Sequence, residues 1–204
     1  MNSTEEFFEL AHIIESVGIG AIIGITERIA FADPPFERIV SSVLTVEARH
    51  DAFFRQVAGA VPNPSPFDTG ISGLWAYNLA LSFIVPGSCP VDLPLPILPK
   101  LTVSQPYYAS PNASTNSSLV EFTWDPTQTS FVVEAGKQLL IGWVNQLNAP
   151  IYTCLNVTAS GKGTTEIPSG ISGVAFAAIT VQEFDNVSDL ELATLAGPAV
   201  VPLS

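Results

Sequence analysis

The chain has 204 residues, of which 47% are hydrophobic and 13% are charged, a composition that excludes extended disorder. It carries 19 acidic and 7 basic residues, and the resulting net charge of −12 repels nucleic acid and anionic membranes. The length suits one large or two small domains. We therefore expect a folded protein with no nucleic-acid partner.

The first predicted helix begins near Thr4 and continues to about Ile29, because apolar residues recur at steps of three and four. Glu15 interrupts this apolar stripe, and His12 lies one turn before it. The run Gly18–Gly24 lacks the spacing and the preceding strand of a dinucleotide-binding loop. Since a glycine inside a helix costs ~1 kcal/mol relative to alanine, these glycines predict that a neighbouring helix approaches closely.

The second predicted helix has Asp33 as its N-cap and Pro34 at its first position, and it extends through Pro35–Gly59. Glu47 and His50 fall where two further core residues of its apolar stripe are expected. A buried carboxylate and imidazole are unfavourable unless they pair with each other or with a metal. At positions i and i+3 they project from the same side of the helix. The alternative is a helix rotated so that both face solvent.

The short turn near Ala32 predicts an antiparallel helical hairpin. Glu15 and Glu47 are almost equally far from this turn along the sequence, so they lie within roughly 3 Å of the same height. His12 and His50 correspond in the same way. The sequence therefore predicts one cluster of these four residues, which is interpreted either as a metal site or as a group of hydrogen-bonded polar side chains.

The second half of the chain changes character after the prolines at residues 62, 64 and 66. A short helix is predicted over Ile71–Phe83, and Pro86–Pro99 has the composition of an extended linker. Five strands are predicted beyond it: Leu101–Ser104, Leu119–Trp124, Leu139–Asn145, Ile151–Val157 and Val174–Gln182. The predicted fold is α+β, with a helical part (residues 1–84), a proline-rich linker (85–100) and a small antiparallel β-sandwich with a C-terminal tail (101–204).

Two patterns bear on other activities. The histidines are His12 and His50 alone, and both belong to the predicted cluster, so no separate nucleophile–histidine pair is predicted.

Four aromatic residues in the second half suit either a sugar-binding surface or, as we favour, core packing: Trp124, Trp143, Tyr107 and Tyr108.

Several features predict a secreted, extracellular glycoprotein. Five N-glycosylation sequons are present, at Asn2, Asn112, Asn116, Asn156 and Asn186. In that environment Cys89 and Cys154 are expected to form a disulfide, with two unrelated buried thiols as the alternative. The first residues do not resemble a signal peptide, so Met1 is expected to be internal to a longer precursor. The apolar run Val17–Ile25 is too short to span a bilayer.

Two segments resemble the secreted ferritin-like proteins of fungi and plants known as desiccation-related or stress-response proteins. The first is VLTVEARHDAFFR, residues 43–55, followed by PNPSPFDT, residues 62–69. In addition, Ile14–Ala21 is similar to the third bundle helix of that family, and Leu195–Ala199 to its C-terminal end. The resemblance is good over residues 5–75 and looser beyond.

The resemblance implies a ferritin-like four-helix bundle with a dimetal site. In such bundles two helices each provide one Glu, and two each provide Glu-x-x-His. Carried over, Glu15 is the single glutamate, Glu47 with His50 is the paired motif, and His12 has no counterpart. The first two bundle helices have no equivalent here, so the chain resembles half a bundle with half a dimetal site. Iron or manganese is the expected ion, and a site without metal is the alternative.

Three functional hypotheses follow. The first is a stress-associated ferritin-like metal-binding protein; whether it is also an oxidative enzyme is left open, since the sequence indicates no substrate. The second is an accessory subunit that docks through its hairpin and has lost the metal chemistry. The third is a surface or wall glycoprotein recognised through the sandwich. Because a hairpin covers only one side of each helix, we also expect a homodimer or a partner chain to complete the bundle.

Overall fold

The computed structural model describes residues 3–91, 93–104, 119–128 and 137–203. Its helices are α1 (Thr4–Ala32), α2 (Pro34–Val57), α3 (Gly73–Ala80) and α4 (Val187–Leu192). Its strands are β1 (Leu101–Val103), β2 (Leu119–Trp124), β3 (Leu140–Asn145), β4 (Ile151–Cys154), β5 (Asn156–Ala159), β6 (Lys162–Glu166), β7 (Val174–Thr180) and β8 (Ala196–Pro202). A helical hairpin is thus followed by antiparallel sheets, which confirms the predicted α+β class.

The hairpin forms as its capping residues predict. Asp33 serves both helices: its backbone N–H donates to Ile29 at 2.7 Å, and its carboxylate accepts from the N–H of Phe36 at 3.1 Å. The rings of Phe8 and Phe54, at the end far from this turn, lie 5.9 Å apart. The two helices therefore run antiparallel along most of their length.

The strands form two four-stranded antiparallel sheets that pack face to face. Sheet A has the order β1-β2-β6-β5, and sheet B has the order β4-β3-β7-β8. The core between them contains Phe122 of sheet A and Trp143 of sheet B, whose rings are 5.9 Å apart. The predicted sandwich is therefore present.

The central strands of sheet B are buried on both faces, because the helices cover the outer side of the sheet. Val17 of α1 and Trp75 of α3 share a second core with Val144 and Phe176 of this sheet. Five of the six residues of β3 and six of the seven in β7 are buried, as expected for strands covered on both sides. The order of layers is thus helices, sheet B, sheet A.

The predicted strand Ile151–Val157 is wrong as a single element. It divides into β4 in sheet B and β5 in sheet A, and Leu155 between them is buried with its N–H bonded to Leu139 at 2.8 Å. A crossing between sheets leaves the apolar pattern of the segment almost unchanged, so the pattern did not reveal it.

Three elements were not predicted. Strand β6 is polar apart from Gly163, and its inward Thr165 is buried through hydrogen bonds to Thr153 and Cys154 instead of through apolar contacts. Strand β8 contains prolines, which are compatible with a strand at the edge of a sheet. Helix α4 is only 6 residues long, too short for helical periodicity to show.

The aromatic residues of the sandwich belong to its core. Trp143 is fully buried, Trp124 is 9% exposed, and both belong to the core between the sheets. Tyr107 and Tyr108 lie outside the described residues. The boundaries of the three-part domain division stay predictions.

The predicted disulfide is wrong. Cys89 and Cys154 are both free and exposed. The thiol of Cys89 donates to the carbonyl of Val91 at 3.1 Å within the proline-rich segment, whereas Cys154 ends strand β4. A count of two cysteines gives no information on their separation in space, which decides whether a disulfide can form.

Helix α1 is, by length and composition alone, apolar enough to cross a membrane, with a mean hydropathy of 1.6 in its most apolar window. The run Val17–Ile25 is thus part of a longer apolar helix. Since core helices and signal sequences meet the same criterion, and since α1 packs on sheet B, this is weak evidence for a span.

The glycines of α1 permit close approach by an extended segment, not by the predicted helix. The N–H of Ile71 donates to the carbonyl of Gly20 at 3.0 Å, and a Cβ on Gly24 would overlap the carbonyl of Ile71. These glycines therefore hold the chain that leads into α3 directly against α1.

We expect Gly24→Ala to destabilise the protein by about 1–3 kcal/mol, because the added methyl overlaps backbone that has no room to move. Gly18→Ala is the matched control. Its Cβ would meet nothing within 4 Å, so the better helix propensity of alanine should stabilise the protein by up to ~1 kcal/mol. Chemical denaturation followed by circular dichroism measures both changes, and equal effects would contradict the proposed contact.

Candidate metal centre

Glu15 of α1 and Glu47 and His50 of α2 converge, and one ligand atom from each lies within 4.8 Å of the others. His50 Nδ1 is 3.1 Å from a carboxylate oxygen of Glu47 and 3.3 Å from one of Glu15. The shared face of residues 47 and 50 and the equal height of Glu15 were the predicted features, and the structure shows both. Whether the cluster binds metal is a separate question.

The cluster lies at the edge of the hairpin and is partly open to solvent. The side chains of Glu15, Glu47 and His50 are 19%, 29% and 52% exposed. Glu15 is thus the most enclosed group and His50 the most accessible. Arg49, between the two α2 residues, is exposed and lies outside the cluster.

The pKa of Glu15 is raised above its usual value of 4.5, first because burial disfavours the charged carboxylate. A hydrogen bond with Glu47 and the negative charge of Glu47 raise it further, and His50 partly offsets these effects. The Glu15 carboxylate is therefore protonated more readily than a free glutamate, because its charge is unfavourable next to Glu47. A divalent ion would remove this repulsion.

The donor set fits a divalent metal ion. Carboxylate oxygens and an imidazole nitrogen suit iron, manganese or zinc. Ligand atoms at right angles and about 2.1 Å from an ion are about 3.0 Å apart. The 3.1 and 3.3 Å separations of His50 from the two glutamates agree with that spacing. Three protein ligands leave coordination positions unfilled, as in catalytic and other open sites.

His12 does not join the cluster, contrary to prediction. It is buried, and its Nδ1 lies 2.6 Å from a carboxylate oxygen of Asp51, which also accepts a hydrogen bond from Ser16 at 3.1 Å. His12 and Glu15 are only three residues apart but have different neighbours on α2. Asp51 was missed, although its position next to His50 placed it at the right height to meet His12.

Arg55 is a second residue that the sequence did not single out. It is 1% exposed, its Nε donates to the carbonyl of Val61 and its Nη2 to the carbonyl of Leu203, both at 2.8 Å. Arg55 thus connects the end of α2 to the C-terminal end of the described chain. No periodic signal marks such a contact.

A cavity of about 310 Å³ lies beside the hairpin. It is lined by the proline-rich loop 62–69 together with Asp51 and Arg55 of α2. Asp68 faces it, and its pKa is raised by desolvation and then by the negative charge of Asp51. Loop 62–69, which follows the VLTVEARHDAFFR segment in the sequence, therefore packs against α2, the helix that carries Glu47 and His50.

Comparison with known proteins agrees with a ferritin-like N-terminal part. Residues 1–60 match the sequence profile of the ferritin-like domain. The chain is also 29% identical to protein rds1 of Schizosaccharomyces pombe over 209 aligned positions, which cover 77% of this chain and 51% of that protein. The chain therefore spans about half the length of this curated relative. The matched profile covers α1, α2 and all three clustered residues.

We expect Asp51→Ala to lower the free energy of unfolding by about 1–3 kcal/mol, because it removes the carboxylate that His12 and Ser16 contact between the two helices. Arg49→Ala, at an exposed position of the same helix, should change it by less than about 0.5 kcal/mol. Urea denaturation compares the two variants. Equal stability would mean that the His12–Asp51 contact contributes nothing measurable.

We also predict a pH effect of Glu15. Since its folded pKa is raised, the folded protein holds this proton more tightly than the unfolded chain. The free energy of unfolding should therefore decrease as the pH rises from about 4.5 through the folded pKa. Glu15→Gln should make this decrease smaller, and the raised pKa values of Asp68 and Glu191 account for what remains. Glu9→Gln, at an exposed position of α1, should retain the full wild-type decrease.

Melting temperatures between pH 4 and pH 8, measured in the presence of a chelator, give the two profiles. Parallel curves for wild type and Glu15→Gln would contradict the assignment of this effect to Glu15.

Proposed function

We propose that this chain is a ferritin-like metal-binding protein whose ligands are Glu15, Glu47 and His50. The observation that carries the proposal is the convergence of two carboxylates and one imidazole, from two helices, within 4.8 Å. The match of residues 1–60 to the ferritin-like domain supports it, because this fold holds metals between facing helices. His12 is not among the proposed ligands, since Asp51 holds it on another side of α1.

Iron or manganese suits the proposed site best. Both accept mixed carboxylate and imidazole ligands, and iron, when bound, supplies one-electron redox chemistry. Glu15 and Glu47 provide two negative charges that balance a divalent ion. His50, about half exposed, lies on the open side, where an exogenous ligand has access. If the bound ion is redox-active, we further propose that the site catalyses an oxidation.

We place the protein outside the cell and in a stress response on the strength of its sequence. The resemblance to secreted stress-response proteins and the five sequons support this. Asn156 and Asn186 are exposed, and the remaining sequons, at Asn2, Asn112 and Asn116, lie outside the described residues. The side chain of Asn186 also caps α4, accepting from the N–H of Asp189 at 2.9 Å, so a glycan there would have to leave this oxygen in place.

The alternative is an accessory subunit without metal. One observation favours it: His50 already contacts both glutamates, so each carboxylate has a partner without a metal ion. In that reading the hairpin serves only to dock onto a partner. Metal content distinguishes the two hypotheses.

We expect the purified protein to bind Mn²⁺ at about one ion per chain. Removing a ligand through Glu47→Gln or His50→Ala should weaken binding on the order of tenfold or more, because even the loss of a group that hydrogen-bonds to a metal ligand has an effect of about that size. Glu9→Gln makes the same chemical change on α1 outside the cluster and should bind as wild type.

Isothermal titration calorimetry gives the affinity, and elemental analysis of protein purified without chelator gives the native metal. Failure of wild-type protein to bind Mn²⁺ or Fe²⁺ would favour the accessory subunit. Equal affinities for wild type and Glu47→Gln would place the ion elsewhere.

A further inference from the structure

A cavity of about 700 Å³ lies where edge strands of the two sheets meet the end of α3. Strands β1 and β8, at the edges of sheets A and B, both line it. Residues 81–84, which follow α3, and the end of the proline-rich segment complete its walls. Its volume is within the range of roughly 300–1,000 Å³ that is typical of small-molecule sites. The residues of the metal cluster do not line this cavity.

Hydrogen bonds fix the proline-rich segment against both α3 and β8. The side-chain amide of Asn78 donates to the carbonyl of Pro96 at 3.0 Å and accepts from the N–H of Leu98 at 2.7 Å. The carbonyl of Pro99 accepts from the N–H of Gly197 at 2.8 Å. The segment that the sequence suggested as an extended linker is therefore a fixed wall of the cavity. A preformed wall reduces the ordering cost of binding a ligand.

The walls of the cavity are mainly apolar. Most of the lining residues are aliphatic, aromatic or proline side chains. Three of them remain 40–73% exposed, namely Phe83, Ile84 and Ile97. Exposed apolar side chains grouped around a concave surface are typical of a binding site for an apolar group. The cavity therefore suits a hydrocarbon ligand or the hydrocarbon part of a larger one.

The charge of the lining differs from that of the chain as a whole. The chain has 19 acidic and 7 basic residues. Among the described residues that line the cavity, however, Lys100 is the one charged residue, and none is acidic. Lys100 is exposed and has no carboxylate partner within the described part of the chain. A lone ammonium group beside apolar walls favours a ligand that joins an anionic group to a hydrocarbon.

We propose that this cavity binds a single-chain anionic amphiphile of the fatty-acid type, with its hydrocarbon against the apolar walls and its carboxylate beside Lys100. An anionic membrane presents the same chemistry, but the net charge of −12 repels such a surface. The ligand is therefore taken up as a free molecule from solution. This site does not depend on the metal centre proposed above.

Isothermal titration calorimetry of the full chain with decanoate and dodecanoate, below their micelle concentrations, tests the hydrocarbon part. Dodecanoate should bind on the order of tenfold more tightly, because it buries two more methylene groups.

The carboxylate is tested by comparing decanoate with decanol. Lys100→Gln should weaken decanoate binding about threefold, as expected for a partly exposed ion pair, and should leave decanol binding unchanged. Lys162→Gln makes the same change on sheet A outside the lining and should bind both ligands as wild type.

The location is tested by Ile97→Glu, which places a carboxylate in the lining at a 73% exposed position and so leaves the fold intact. It should weaken decanoate binding tenfold or more, because the two negative charges repel and the apolar contact is lost. Leu93→Glu is the matched control. It lies 49% exposed on the same segment but outside the lining, so it should bind as wild type.

The outcomes that contradict the proposal differ from one another. Failure to bind either decanoate or decanol would overturn the site. A Lys100→Gln variant that keeps wild-type affinity for decanoate would overturn the anionic class of ligand, and an Ile97→Glu variant that does so would place the ligand elsewhere. Flotation of the wild type, but not of Ile97→Glu, with phosphatidylserine vesicles would favour a membrane over a free ligand. All titrations contain a chelator, so none of these results bears on metal binding.

Discussion

The structure depends most on the way Asp33 joins α1 to α2. Its backbone N–H caps the end of α1, and its carboxylate caps the start of α2. The connection is therefore a single residue long, and this residue fixes the register between the two helices. With rigid helices a register fixed at the turn persists along the hairpin. That is why Glu15, halfway along α1, meets Glu47 and His50 at the expected height. A longer turn would have allowed several registers, and the cluster would have been one outcome among many.

The hairpin is held from one side only, and this asymmetry explains the exposure of its site. Glycines in α1 let the Thr69–Ile71 segment lie against the helix, and Val17 joins the core on sheet B. Helix α2 has less support, which comes from loop 62–69 and from the contacts of Arg55 near its end. Glu15, on the better supported helix, is therefore the most enclosed residue of the cluster, and His50, on the less supported helix, is the most open.

What the sequence could predict follows from the range of the interactions involved. Capping, helical periodicity and strand alternation act over a few residues, so the helix starts, the strand Leu119–Trp124 and the convergence of Glu15 with Glu47 and His50 were within reach. The partner of His12, the sheet to which residues 156–159 belong and the distance between the two cysteines depend on the packing of segments far apart in the chain. No local pattern encodes them. His12 is instructive: its height was right, but height alone does not determine which neighbour a buried side chain contacts.

The electrostatics of the cluster bear on both functional hypotheses, the metal-binding protein and the accessory subunit without metal. A carboxylate with a raised pKa, next to a second carboxylate, is an arrangement that folding alone does not favour. His50 offsets part of the repulsion, and this suffices at the present exposure because water still screens the charges. If a partner covers the cluster, that screening is lost and the repulsion between Glu15 and Glu47 grows. A buried form of this cluster therefore requires either a proton or a cation. Below the raised pKa of Glu15 a proton meets that requirement, and above it a divalent metal ion does so, since its two charges match the two carboxylates. Burial of the cluster and occupation of the site by a cation are for this reason expected to be linked, and an accessory subunit that buried the cluster without metal would have to tolerate the charge.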